Sequence, residues 1–232
     1  MYSSATSDPK PHLPERQASF KAYVLDPQFP CVGARSALNR GRMEFGIYHA
    51  LGDETSAQEL CADLSAFSEK YQTPGAEPVT FIAMFNEPVA DEASFTGALW
   101  RHLQALHNVD ALQHAWDPTV SSDPANASFS FSIAGRAFFV VGLSPQSSRW
   151  ARRAPFPCVA FNFHDQFEAL KATGKYTGLQ TAIRARDVAL QGFVNKALTT
   201  FGDMSEARQY AGNATPADWV CPFQSGVAAD GR

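Results

Sequence analysis

Residues 128–143 read SFSFSIAGRAFFVVGL, and the fold class follows from them. Two apolar arms meet at Ala134-Gly135, a pair suited to the tight turn of a β-hairpin. In the first arm Phe129, Phe131 and Ile133 alternate with serines, which predicts one buried face and one wetter face. The second arm, residues 137–143, is apolar on both faces and is expected at the centre of a sheet. Such a turn demands at least one antiparallel pair.

Outward from the hairpin, residues 79–85 and 158–161 also read as extended. Helices are predicted where apolar residues return at three and four. Leu60, Leu64, Phe67 and Tyr71 do so behind Ser56 and Glu59, a capping-box pair. Phe95, Leu99, Leu103 and Leu106 do so behind Asp91 and Glu92, acids that suit the positive end of a helix dipole. Leu179, Ile183 and Leu190 form a third stripe. The reading is an α/β fold, a single domain with a mixed β-sheet flanked by helices. Its span is residues 15–223. Residues 1–14 carry three Pro and too few apolar groups to offset ordering entropy, so they are expected to be a disordered tail, and residues 224–232 a flexible one.

Composition narrows the partners. A formal charge of −4 argues against nucleic acid, whose phosphates require clustered Lys and Arg; Arg149 to Arg153 are the local exception. The longest apolar run, residues 137–143, is far below the roughly 20 residues that span a bilayer. Four scattered cysteines do not make a disulfide framework, and no secretory leader opens the sequence, so a reduced, cytoplasmic protein is expected. Phosphate-binding glycine loops, zinc-protease and nucleophile-elbow signatures and CxxC pairs are all missing from the sequence.

Chemistry therefore rests on local clusters. Residues 147–168, SSRWARRAPFPCVAFNFHDQFE, place three arginines before a short strand and then Asn162 and His164 where the strand gives way to a helix. Ligands of α/β folds gather at such junctions. His164 offers imidazole to a metal or haem iron; the plain alternative is a helix-start histidine bonded to backbone. Arg149, Arg152 and Arg153 offer forked donors to carboxylates or phosphates, or else form a solvated turn. Cys31, in FPCVGARSAL, is expected at the first turn of a helix, where the positive helix end lowers a thiol pKa; a buried structural cysteine is the alternative. Residues 202–223 mix Glu206 and Arg208 with Trp219 and Phe223, either a lid over a small polar ligand or a tail that closes the core.

Three blocks together carry a resemblance: FPCVGARSALNRGRMEFGIY, SSRWAR through FNFHDQFEAL, and RARDVALQGFVN followed by GDMSEARQY and WVCPF. They resemble the YqcI/YcgG family, most closely its haem-dependent N-hydroxylases of guanidines and amines, such as those of guanitoxin and D-cycloserine biosynthesis. The resemblance spans about residues 20–223. It implies haem b, dioxygen, an external electron donor such as a ferredoxin with its reductase, and a small amino-acid-like guanidine or amine as substrate. Its motif residues make His164 the first candidate iron ligand and catalytic group, with Cys31 second; thiolate favours oxygen cleavage best, and imidazole also holds haem. Arg149, Arg152 and Arg153 become candidate partners of the haem propionates, and Asn162, Glu206 and Arg208 candidate substrate contacts. One position departs: many relatives carry His-Pro before the Ser-Arg block, where this chain reads Ser144-Pro145. Two other readings stand beside this one: a non-catalytic haem or gas-binding protein, and a hydrolase or transferase using Cys31 with His164 as base.

Overall fold

The computed structural model describes residues 13–73, 75, 77–192 and 204–226. In chain order these form α1 (Leu13–Leu25), α2 (Val32–Asn39), β1 (Met43–Tyr48), α3 (Glu54–Lys70), β2 (Thr80–Phe85), α4 (Glu92–Asp110), β3 (Phe131–Ile133), β4 (Arg136–Leu143), a 3₁₀ turn (Trp150–Arg152), β5 (Cys158–Phe163), α5 (His164–Ala172), α6 (Lys175–Gln191) and α7 (Ala207–Tyr210).

The hairpin forms as its turn chemistry dictates. Ala134 and Gly135 take φ of 55° and 68°, the left-handed pair that matches strand twist, and Phe131 pairs with Phe138 across it. The five strands lie in the order β1-β2-β5-β4-β3. β1 and β2 run parallel, joined through α3; every other neighbouring pair is antiparallel. The sheet is mixed and flanked by helices, the α/β arrangement read from the sequence.

Several details correct that reading. β4 lies one strand from the edge, and β5 holds the centre. Ser130 and Ser132 are buried rather than wet, because both hydroxyls are satisfied: Ser130 Oγ donates to Glu206 Oε2 at 2.9 Å and lies 3.1 Å from Phe138 O, and Ser132 Oγ accepts from Asp117 N at 3.0 Å. α3 begins earlier than expected. Its cap is Asp53, whose Oδ2 accepts from Ser56 N at 2.8 Å; a carboxylate suits the positive helix end better than the serine hydroxyl. Asp91 caps α4 as expected, accepting from Ser94 N at 2.7 Å. At the start, residues 13 and 14 are already helical; residues 1–12 lie outside the described residues. At the end, Gln224 and Ser225 are pinned rather than loose. Gln224 exchanges two hydrogen bonds with Gln104, and Ser225 O lies 2.7 Å from His107 Nε2. Residues 227–232 lie outside the described residues.

Strand alternation sends the side chains to two cores. One face carries Phe81, Phe85, Phe131, Phe138, Phe161 and Phe163 and is covered by α3, α4, α7 and Phe223. The other carries Met43, Ile82, Met84, Val141, Leu143, Cys158 and Ala160 and meets α1 and α2. Among the described residues no helix is long and apolar enough to cross a membrane.

Candidate functional site

β4 is an interior strand, yet Phe139 and Val141 on its second face are only half-buried. Something covers them incompletely. α5 and α6 pass above them and leave an apolar cavity of about 270 Å³ against the sheet, lined also by Phe20, Val24, Phe29, Ile82, Leu179 and Ile183. The lid over it is tied down by Arg186, whose Nη2 donates to Pro27 O at 2.7 Å and Phe29 O at 3.0 Å. Those carbonyls belong to the loop that delivers Cys31.

Cys31 caps α2, its Sγ accepting from Ala34 N at 3.4 Å, and it lines this cavity. The expected depressed thiol pKa is not found. Burial raises it, and that outweighs the amides of Ala34 and Gly33 and the Arg152 charge, which pull the other way. The free thiol is therefore the protonated form at neutral pH.

Arg149 and Arg152 line the same cavity and are buried. Arg149 pairs with Asp187 of α6 at 3.2 Å, while Arg149 Nε and Asp187 Oδ1 have no hydrogen-bond partner among the described residues. Among the described residues the hydrogen bonds of Arg152 go to carbonyls: Nη1 donates to Gly142 O at 2.8 Å and Nη2 to Gln209 O at 3.2 Å. Burial, then the Arg149 charge, lowers its pKa to about 9. Arg153 stands apart. It is exposed, its Nε donates to Ser147 O at 2.7 Å, and it does not line the cavity. Asn162 lies on the floor of the cavity, with Nδ2 donating to Phe139 O at 3.2 Å. Ser144, the point of departure from the family pattern, is buried with its amide donating to Arg152 O at 2.9 Å.

His164 is elsewhere. α5 divides two depressions: Gln166, Phe167 and Leu170 face the apolar cavity, whereas His164, Asp165, Glu168 and Lys171 line a polar cleft of about 650 Å³. There His164 Nδ1 lies 3.3 Å from Oε1 of Glu206, a carboxylate that is 2% exposed. Ser130 Oγ and Tyr210 OH donate to the other oxygen at 2.9 Å and 3.2 Å. Burial raises the Glu206 pKa; His164, Ser130 and Tyr210 oppose the rise. The remaining charges of the cleft are largely paired, Arg136 with Asp165 at 2.7 Å and Lys171 with Glu168 at 3.2 Å.

The structure thus unites Cys31, Arg149, Arg152 and Asn162 in one cavity and His164 with Glu206 in another. Cys31 and His164, the pair of the hydrolase reading, line different depressions. Arg208 belongs to neither depression; its guanidinium donates to Thr215 Oγ1 and to the carbonyls of Pro216, Ala217 and Trp219, and so folds the C-terminal segment. Sequence reasoning missed Asp187 and Phe139. The motif ARD offered a weak signal for the first; the half-exposure of the second exists only after helices pack.

The family model described as YqcI/YcgG matches residues 20–224. Neither curated proteins nor solved structures yield a match to the chain.

Proposed function

Since the chain belongs to the YqcI/YcgG family, we propose that it is a haem-dependent monooxygenase that N-hydroxylates a guanidine or amine nitrogen of a small amino-acid-like substrate. One observation carries the reading: the mostly apolar cavity over β4 holds a thiol and two buried arginines, one of them paired with Asp187, with Thr80, Asn162 and Gln166 as its other polar groups. That donor set fits a flat, apolar macrocycle with anionic edges. Arg149 Nε, buried and without a hydrogen-bond partner among the described residues, is a donor such a group could satisfy.

Cys31 is assigned as the iron ligand because it shares the cavity with both arginines, whereas His164 does not. Metal coordination deprotonates a thiol outright, so the raised pKa of the free group is no obstacle. When bound, the haem supplies oxygen activation: with two electrons and two protons from an external donor, one atom of dioxygen goes to the nitrogen as N–OH and the other leaves as water.

The protein's own groups perform the remaining tasks. Ala34 N–H, donating to Sγ, holds the ligand's rotamer and moderates its charge. Arg152, and Arg149 through the part of its guanidinium that Asp187 does not engage, would hold the group's carboxylates. Asn162, fixed through Nδ2, keeps its carbonyl oxygen as an acceptor for a substrate N–H. Phe139, Val141, Leu179 and Ile183 exclude water.

The test is an absorption titration with hemin. Wild type is expected to give a Soret band, Cys31→Ala to lose or shift it, and His164→Ala to keep a thiolate-type spectrum. No band in any protein removes the oxygenase reading. A band without hydroxylated product from arginine or simple amines, under oxygen and reductant, leaves a haem or gas-binding protein instead.

A further inference from the structure

Arg152 is a buried cation that makes no ion pair among the described residues; its hydrogen bonds there go to carbonyl oxygens, and the charges that act on it are Arg149, which opposes it, and Tyr23, Cys31 and Asp187, which favour it. Besides Gly142 O, the carbonyls are Gln209 O at 3.2 Å and Tyr210 O at 3.4 Å, the last two residues of α7. Four residues cannot hold a helix in place by themselves. The position of α7 must be imposed from outside, and three contacts impose it. Gly142 lets β4 approach so closely that a Cβ there would stand 3.0 Å from Tyr210 O. Tyr210 OH accepts from Phe131 N at 3.1 Å. Glu206, the residue that opens α7, accepts from Ser130 Oγ, and its second oxygen stands 3.3 Å from His164 Nδ1, close enough for an ion pair when the imidazole carries its proton.

We propose that His164 is a positioning residue for Arg152: by fixing Glu206 from the polar cleft it anchors α7, whose carbonyls hold the guanidinium at the wall of the apolar cavity as its anion-reading group. The inference rests on the cavity being a ligand site, as proposed above, but not on the ligand being haem. It gives His164 a role in the cavity without contact to anything bound there. Loss of the imidazole leaves a buried carboxylate with one partner fewer, and α7 shifts toward water to solvate it. Arg152 then loses two of its three carbonyls and its fixed direction.

The experiment compares two fluorescent probes on the full chain, the anionic 8-anilinonaphthalene-1-sulfonate and the neutral N-phenyl-1-naphthylamine. Wild type is expected to prefer the sulfonate, and Arg152→Met to lose that preference. His164→Ala should weaken the sulfonate about tenfold while the neutral probe stays within about twofold, since only the charge-assisted contact is lost. His164→Gln, whose amide can donate to Glu206, should recover part of the preference. A folded His164→Ala protein that keeps the full preference overturns the proposal. So does an equal change for both probes, which marks general loosening, or a wild type without preference. If hemin fails to bind while the probe pattern holds, the haem reading falls and the positioning role stands.

Discussion

His102 shows burial deciding a titration that its sequence neighbours do not mark. The ring is fully buried on α4, its Nδ1 accepts from Gly52 N at 3.1 Å, and Phe85 meets it edge-on at 5.0 Å. Burial pushes its pKa from 6.5 down to about 4, with Asp53 a lesser opposing influence. The folded state therefore keeps the ring neutral while the unfolded chain takes up a proton. Stability from this residue is complete above about pH 6.5 and is lost as pH falls toward 4, about 3 kcal/mol in all. Urea midpoints measured between pH 7.5 and 4.5 should fall more steeply for wild type than for His102→Gln; parallel slopes would mean that the ring is hydrated in the folded state. Single residues were legible in the sequence as chemistry but not as partners. Cys31 and His164 both stood out, yet only packing shows that α5 separates them. Glu206 stood out too, and its contact with His164 had no local signal because it joins two distant blocks of the chain.

Elements were legible where a period was long or a turn was explicit. α4 and α6 follow from their apolar stripes, and the hairpin from Ala134-Gly135. β1 was missed, since MEFGIY mixes Glu44 and Gly46 into an edge strand whose reason for being extended is its parallel partner β2. α7 was invisible because four residues carry no period. Its dependence on β4 gives an element-scale prediction. A Cβ at Gly142 would stand 2.9 Å from Phe95 Cε1, 3.0 Å from Leu99 Cδ2 and 3.0 Å from Tyr210 O. The two side chains can yield a few tenths of an ångström; the carbonyl can do so only if α7 moves. Gly142→Ala is expected to cost about 1–3 kcal/mol, the usual range for overpacking. Thermal melts read the loss, and the probe preference for anions should decline with it. A variant as stable as wild type would show that α7 is not seated against the strand.

At the scale of the molecule, the sequence assigns side chains to faces through alternation, but both depressions arise from how helices lie over those faces, which no local pattern encodes. The end of the chain closes the aromatic face: Phe223, 2% exposed, sits against His107, Trp116, Phe129 and Phe131. Removing that ring leaves a void in a core built from both ends of the domain, so Phe223→Ala is expected to cost about 3–5 kcal/mol. The loss should not be confined to one side. Trp100, Trp116 and Trp219 report on the aromatic face, and a probe in the apolar cavity reports on the other, yet β2, β4 and β5 contribute walls to both. Because the shared strands cannot melt on one face alone, tryptophan fluorescence and probe release should give one urea midpoint, and Phe223→Ala should shift both by the same amount. Two separate midpoints, or a shift in fluorescence alone, would mean that the helices over the cavity unfold independently of the sheet that carries it.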